Sequence, residues 1–289
     1  MTLRQLAGYL FLALAWGLSF LVLLRVVAAF GEIGAATLRC VVAAAALYAY
    51  ARATGRTLRF GTRLAPYAVL GATTVAGQLL GLNYATPRIG TAMAAIIVAT
   101  IPLFSMLISR AVGFEKLSAE KLAGLALGVV GVALLVGFPA QPITREFLIG
   151  SAVCAGACLC AASGSVYAGV RMREVGAFET TIAAFAMGAL ICAPFLLAQP
   201  IPTTPGLVDY IYLFILGAGM SAATYAVYFR LVTEIGPTKA ISVEFVVTAV
   251  AVVVGAVWLG EKLTLAQVSG AGAIILGCAL VLGVVRRGA

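Results

Sequence analysis

The chain has 289 residues, of which 63% are hydrophobic and 10% are charged, and it carries a net charge of +9. In an ordinary soluble domain about a quarter of the residues are charged, so this composition excludes that class. The sequence contains no histidine. The usual zinc and iron sites, Ser-His-Asp triads and histidine acid–base chemistry are therefore excluded too.

Apolar runs long enough to cross a bilayer as a helix follow one another along the whole chain. They lie at roughly 5–24, 33–51, 64–86, 91–110, 119–137, 148–169, 179–198, 207–229, 237–259 and 264–284. These runs are too long and too evenly apolar for the strands of a membrane barrel. The first resembles a signal peptide around Ala13, but it continues apolar to Leu24, so we expect an uncleaved helix. The sequence predicts an all-α polytopic membrane protein with ten transmembrane helices.

The basic residues are distributed unevenly between the loops on the two sides of these spans. With a cytoplasmic N-terminus, inward-facing segments hold 13 of the 19 lysines and arginines and outward-facing segments hold four. This asymmetry predicts that both termini are cytoplasmic. Orientation of the chain in the lipid bilayer thus explains the positive charge. We therefore expect no nucleic-acid partner.

The six cysteines all fall inside predicted spans. Cys158 and Cys160 point to different helix faces at their spacing, which disfavours a metal site. The cysteines are interpreted as small apolar packing residues. No phosphate-binding loop for ATP is present in the sequence, and we expect neither a metal nor a cofactor.

The stretch FEKLSAEKLAG at 114–124 has a near copy, GEKLTLAQVSG, at 260–270. Aligning Glu115 with Glu261 gives an offset of 146 residues, and the same offset aligns several glycines: Gly71 with Gly217, Gly90 with Gly236, Gly124 with Gly270 and Gly131 with Gly277. The chain is thus predicted to contain two five-helix repeats, 1–142 and 143–289. Because five is odd, the second repeat has inverted topology, an arrangement that places a substrate site between the halves near the membrane midplane.

The chain resembles the drug/metabolite transporter superfamily, and within it the ten-helix EamA-type exporters and their aromatic amino-acid exporter branch. The resemblance is carried by Trp16-Gly17, Leu38-Arg39, Pro102-Leu103-Phe104 and the two Glu-Lys-Leu turns. It implies a bacterial inner-membrane exporter with a central cavity lined mainly by helices 1, 3, 4, 6, 8 and 9. It also implies that helices 5 and 10 pack together, away from the cavity.

Polar and aromatic side chains in spanning helices are the candidates for the cavity wall, because such groups are costly against lipid. The predicted cavity residues are Trp16, Ser19, Gln78, Tyr84, Ser105, Ser163, Tyr167, Thr224, Tyr225, Tyr228, Glu244 and Thr248. Aromatic rings with scattered hydroxyl and amide groups suit a small amphipathic solute. The alternative is ordinary interhelical packing by small and hydroxyl residues.

Glu244 differs from every other carboxylate in the chain, since it is the only one well inside a predicted span. We interpret it as a ligand for a substrate ammonium group or as a proton-binding site. The alternative is a structural salt bridge with Lys239 or Arg39. Pro102 also lies within a span, where a bend would make it a candidate gating kink.

Together with these patterns, the resemblance implies an inner-membrane secondary transporter that exports amino acids, including aromatic ones, and related metabolites by alternating access. A cationic drug or another metabolite is the alternative substrate. A membrane enzyme or assembly factor without transport is the alternative from another class. The glycine faces of helices 5 and 10 allow a dimer, although a monomer is expected.

Overall fold

The computed structural model describes residues 1–61, 64–114, 118–136, 144–199, 201–202, 204–250 and 265–282. Within these ranges the chain is helical and contains no strand. In chain order the helices are α1 (Leu3–Ala53), α2 (Ala65–Leu70), a π-helical segment (Gly71–Gly77), α3 (Gln78–Val98), α4 (Ile101–Ala111), α5 (Ala119–Val136), α6 (Arg145–Arg171), α7 (Ala177–Ala198), α8 (Leu207–Phe214), a second π-helical segment (Ile215–Ala223), α9 (Thr224–Ile235), α10 (Pro237–Ile241), α11 (243–250) and α12 (Leu265–Leu282). The predicted all-α class is confirmed.

Three glycines break continuous stretches of helix into separate passes. Gly31 interrupts α1 with a φ of 73°, Gly90 interrupts α3 with a φ of 79°, and Gly236 separates α9 from α10 with a φ of 90°. Glycine occupies this left-handed region without the steric cost that a Cβ imposes. Each break falls between two of the apolar runs identified in the sequence.

In the part of the chain that the structure describes, five stretches of helix have the length and hydropathy of membrane spans: Leu21–Ala53, Ala65–Gly90, Arg145–Arg171, Ala177–Ala198 and Leu207–Ile235. Shorter apolar helices cover Ile101–Ala111 and Gly272–Leu282. Large apolar side chains such as Leu14, Leu190 and Ile275 are exposed on the outside of the bundle. A bilayer covers such a surface, and the chain is accordingly an all-helical membrane protein.

Helices α5 and α12, which correspond to predicted helices 5 and 10, pack together through glycines, as the family resemblance implied. A Cβ on Gly124 would lie 2.8 Å from the carbonyl oxygen of Gly277, and a Cβ on Gly131 would lie 2.8 Å from that of Gly270. Contacts between small residues at this range allow close approach of helix backbones in membranes. Because the two contacts occur in opposite order along the helices, α5 and α12 run antiparallel.

Ion pairs lie near the ends of the helices. Arg88 pairs with Glu32 at 2.5 Å, and Arg25 pairs with Asp209 at 3.2 Å. Glu234 accepts a hydrogen bond from Arg230 at 2.7 Å and another from Gln5 at 3.1 Å. The apolar middle of the bundle and its charged ends agree with the membrane setting.

A capping serine and a proline stand at the starts of α5 and α4. The Ser118 hydroxyl accepts a hydrogen bond from the Lys121 backbone N–H at 3.2 Å and so caps α5. Pro102 was expected in mid-helix, but the helix stops at Val98 and α4 begins at Ile101, so Pro102 lies in a first turn. A proline there sacrifices no helical hydrogen bond. Glu115, Glu261 and Thr264 lie outside the described residues.

Candidate functional site

The centre of the bundle contains a cluster of aromatic rings from α1, α7 and α9. The Trp16 ring centroid lies 5.6 Å from that of Tyr225 and 5.5 Å from that of Tyr228. Phe185 meets Tyr225 edge to face at 5.0 Å. Tilted and edge-to-face ring pairs at these distances are favourable beyond the area that they bury.

Each polar group of this aromatic cluster has a hydrogen-bond partner on another helix. The Trp16 indole N–H donates to the Thr224 hydroxyl at 3.0 Å, and the Tyr228 hydroxyl donates to Ser165 at 2.6 Å. The Tyr225 hydroxyl donates to the Gln78 side-chain carbonyl at 3.2 Å. These bonds fix the ring orientations, since an unpaired polar group in the interior would be costly.

A cavity opens beside the aromatic cluster, lined by residues of α1, α3, α9 and α11. Its wall consists of Trp16, Ser19, Leu23, Arg39, Gln78, Leu79, Leu82, Val98, Tyr225, Glu244 and Val247. Its volume is about 60 Å³, enough for a few water molecules. Sites for drug-sized ligands have roughly 300–1,000 Å³. In this conformation the cavity is therefore too narrow for a metabolite, which can enter only when the surrounding helices separate.

Close helix contacts place Glu244 on this wall. A Cβ on Gly17, next to Trp16, would lie 2.8 Å from the Val250 side chain, so glycine lets α1 approach α11. On another side, a Cβ on Gly128 of α5 would lie 2.6 Å from the Phe245 ring, which is fully buried. With Phe245 held against α5, the adjacent Glu244 lines the cavity at 6% exposure.

The carboxylate of Glu244 makes no hydrogen bond or ion pair with any residue that the structure describes. The only bond recorded at Glu244 runs from the Thr248 hydroxyl to its backbone carbonyl at 3.1 Å. In the conformation shown, the predicted alternative of a salt bridge with Lys239 or Arg39 is not formed.

Arg39 lies on the same cavity and is 7% exposed. Its Nε donates to the Ser221 hydroxyl at 2.6 Å, and that hydroxyl donates to the Leu216 carbonyl at 2.8 Å. The contact is possible because Gly217 lets the second π-helical segment approach the Val42 side chain and the Arg39 carbonyl oxygen of α1. Arg39 was not among the predicted cavity residues. The sequence alone could have pointed to Arg39, because an arginine in the middle of a span is as unusual as a glutamate there.

One family model matches this chain twice, over residues 5–137 and 148–283, and it describes the EamA-like transporter family. The chain belongs to the EamA-like transporter family. The predicted superfamily is confirmed.

Three curated proteins illustrate the relatives of this transporter. The uncharacterized inner membrane transporter YedA of Escherichia coli K12 is 28% identical over 201 residues, which are 67% of this chain and 62% of YedA. Protein PecM of Dickeya dadantii is 26% identical over 208 residues, 70% of this chain and 68% of PecM. The uncharacterized transporter YoaV of Bacillus subtilis is 22% identical over 198 residues, 68% of each chain.

The fold of the transporter also matches a solved crystal structure of a protein, with a TM-score of 0.81 and 18% sequence identity. The match covers 98% of this chain and 99% of the other. At this identity the likeness concerns the fold alone.

The structure brings together five of the twelve predicted cavity residues on the wall described above: Trp16, Ser19, Gln78, Tyr225 and Glu244. Thr224 and Tyr228 contact Trp16 and support it, and Thr248 bonds to its own helix.

Four other predicted residues do not line this cavity. The Arg88 guanidinium stacks on Tyr84, with its central carbon 3.7 Å from the centroid of the tyrosine ring. This contact lies near the end of the bundle that holds the Arg88–Glu32 ion pair. Tyr167 packs against the main core, and Ser163 is half-buried in α6. The hydroxyl of Ser105 is buried and has no hydrogen-bond partner in the described part of the chain.

Proposed function

We propose that this transporter exports amino acids, including aromatic ones, and related small metabolites across a bacterial inner membrane. The observation that carries the proposal is the wall of the central cavity. The rings of Trp16 and Tyr225, the amide of Gln78 and the charged groups of Arg39 and Glu244 share one small space. Rings with a few fixed polar groups suit a small amphipathic solute. The outward direction follows from the resemblance to EamA-type exporters.

Alternating access between two inverted five-helix repeats, 1–142 and 143–289, is the mechanism we infer. The two π-helical segments support it, because they lie at equivalent positions under the offset of 146 residues. The antiparallel packing of α5 and α12 supports it as well, because these helices occupy equivalent places in the two repeats. The family model matches each half separately. Repeats of this kind rock against each other around a site at their interface.

The narrow cavity fits one stage of such a cycle. Its free space of about 60 Å³ is too small for an amino acid, so substrate entry requires α1, α3, α9 and α11 to move apart. The interruption between α3 and α4 at residues 99–100, just before Pro102, supplies a place for such a movement.

Both termini lie on the cytoplasmic side in this proposal. The distribution of basic residues supports this orientation. The name of the relative YedA places that protein in an inner membrane. The transporter acts as a monomer, since the glycine faces of α5 and α12 are occupied by each other and leave that surface unavailable for a second copy.

Glu244 binds the substrate ammonium group or a coupling proton. Its carboxylate is buried, lines the cavity and lacks a partner among the described residues, and intramembrane carboxylates in that situation are characteristic of transport sites. The same observation favours a cationic drug as the second candidate substrate, because one negative charge suffices for a cation.

Uptake into liposomes that contain the purified transporter tests this function. A panel of labelled amino acids is offered with and without a pH gradient, and empty liposomes provide the baseline. The proposal expects flux above baseline for at least one amino acid and strongest flux for aromatic ones. Flux of cationic drugs without flux of any amino acid would favour the second candidate.

A further inference from the structure

Two side chains of opposite charge, Arg39 and Glu244, line the same cavity without pairing with each other. Both are more than nine-tenths buried. Oppositely charged side chains in a confined space of low dielectric attract each other strongly, so a lasting separation needs a reason.

Arg39 has a different kind of partner from the arginines that form ion pairs in the described part of the chain. Arg25, Arg88 and Arg230 each contact a carboxylate near the end of a helix. Arg39 lies within a span, and among the residues that the structure describes its side chain donates a hydrogen bond only to the neutral hydroxyl of Ser221. A guanidinium has five N–H donors in a planar fork, and the Ser221 contact uses the one on Nε. Because Arg39 lines the cavity, its remaining N–H donors are available on the cavity wall. Their planar arrangement suits a carboxylate.

Glu244 provides the complementary group. Its carboxylate has no partner in the described part of the chain, and its helix is held by the contacts of Phe245 with Gly128 and of Val250 with Gly17. The charged group is thus presented from a fixed backbone. The apolar and aromatic wall formed by Trp16, Leu79 and Tyr225 lies beside both charges.

We propose that the cavity selects zwitterions, with Arg39 binding the substrate carboxylate and Glu244 binding its ammonium group. The rings of Trp16 and Tyr225 then contact the side chain of an α-amino acid. This inference rests on the proposed transport function and narrows its substrate class. It disfavours a purely cationic drug, because such a compound leaves Arg39 buried without an anion.

Three compounds that share a phenyl ring test the contributions of the substrate ammonium group and of the substrate carboxylate separately. Phenylalanine carries both, 2-phenylethylamine carries only the ammonium group, and 3-phenylpropionate carries only the carboxylate. Each competes with labelled phenylalanine for transport by the wild-type protein in liposomes. Phenylalanine is expected to compete better than either single-charge compound by about tenfold or more, the scale of one charge-assisted hydrogen bond. Equal competition by the amine or by the acid would overturn the proposal.

Substitutions then assign each charge to its residue, and the measurement is the affinity of each purified variant for the three compounds, because Glu244→Gln is expected to lose transport. Arg39→Gln should abolish the advantage of phenylalanine over 2-phenylethylamine and keep its advantage over 3-phenylpropionate. Glu244→Gln should do the reverse. Arg39→Lys keeps the charge without the fork, so it should retain part of the preference if Arg39→Gln does not fold. An equal loss of all three compounds in both variants would show instead that Arg39 and Glu244 serve as partners for each other, which contradicts zwitterion selection.

The two levels of the proposal fail differently. No flux of any amino acid through the wild-type protein would remove the proposed function and this inference together. Amino-acid flux without any preference for the zwitterion would remove this inference alone.

Discussion

Gly90 and Gly236, 146 residues apart, adopt the same left-handed backbone conformation, with φ and ψ of 79° and 156° at the first and 90° and 156° at the second. Each ends one helical pass and begins the next. An equal conformation at these two positions agrees with the repeat offset of 146 residues that the sequence predicts. A positive φ also makes each of these glycines a position at which a Cβ would be strained.

Replacing Gly90 or Gly236 with alanine should therefore destabilise the transporter by about 1–2 kcal/mol each. Thermal unfolding of the purified protein in detergent measures the change. Gly156→Ala is the matched control, because Gly156 lies within α6 and has open space around its Cα. If both variants unfold at the temperature of the control, the left-handed turns are not needed for the fold.

The contact between α5 and α12 should be sensitive to the smallest enlargement. Gly131→Ala places a methyl group 2.8 Å from the Gly270 carbonyl oxygen and should cost about 1–3 kcal/mol of stability through overpacking. The KM for substrate should stay unchanged in the folded fraction, because neither helix lines the cavity. Gly272→Ala, in open space on α12, provides the control. A changed KM with unchanged stability would place these helices in the transport path.

The bond between Trp16 and Thr224 should couple the two residues energetically. Trp16→Phe removes the indole donor, Thr224→Val removes the hydroxyl acceptor, and the double variant completes a cycle. A coupling of about 0.5–1.5 kcal/mol is expected for one buried hydrogen bond. Equilibrium unfolding in mixed micelles measures the four free energies. Strict additivity of the two changes would mean that this bond does not hold the tryptophan in place.

Glu244→Gln should abolish transport or uncouple it from a proton gradient, while expression and membrane insertion stay normal. The carboxylate is buried on the cavity wall without a partner in the described residues, so the amide removes a charge without breaking a contact. Initial rates in liposomes provide the measurement. Glu174→Gln, in an exposed turn after α6, is the matched control and should transport normally. Full activity of the Glu244 variant would remove the residue from the mechanism.

Much of the fold could be predicted from apolar runs and glycines, because a bilayer demands helices of a fixed length. The breaks at Gly31, Gly90 and Gly236 all fall between predicted spans. The packing of α5 on α12 was implied by the family resemblance and is present. Part of the cavity wall was foreseen too, since Trp16, Gln78 and Glu244 are unusual side chains within apolar helices.

The rotation of each helix could not be predicted in the same way. In a membrane protein both the buried and the lipid-facing sides of a helix are apolar, so hydrophobic periodicity does not reveal which side faces the centre. Tyr84 illustrates this, because it contacts Arg88 near the end of the bundle and not the cavity. Arg39 illustrates the converse, because its position depends on Ser221, a residue 182 positions away in sequence.

Counterflow most directly tests whether the cavity of Trp16, Arg39 and Glu244 carries amino acids. Liposomes containing the purified wild-type protein are loaded with unlabelled phenylalanine and diluted into a trace of labelled phenylalanine. Wild type should accumulate label transiently, whereas Glu244→Gln and empty liposomes should not. No accumulation by wild-type protein, with phenylalanine or with any other amino acid loaded and labelled in the same way, would contradict the proposed function.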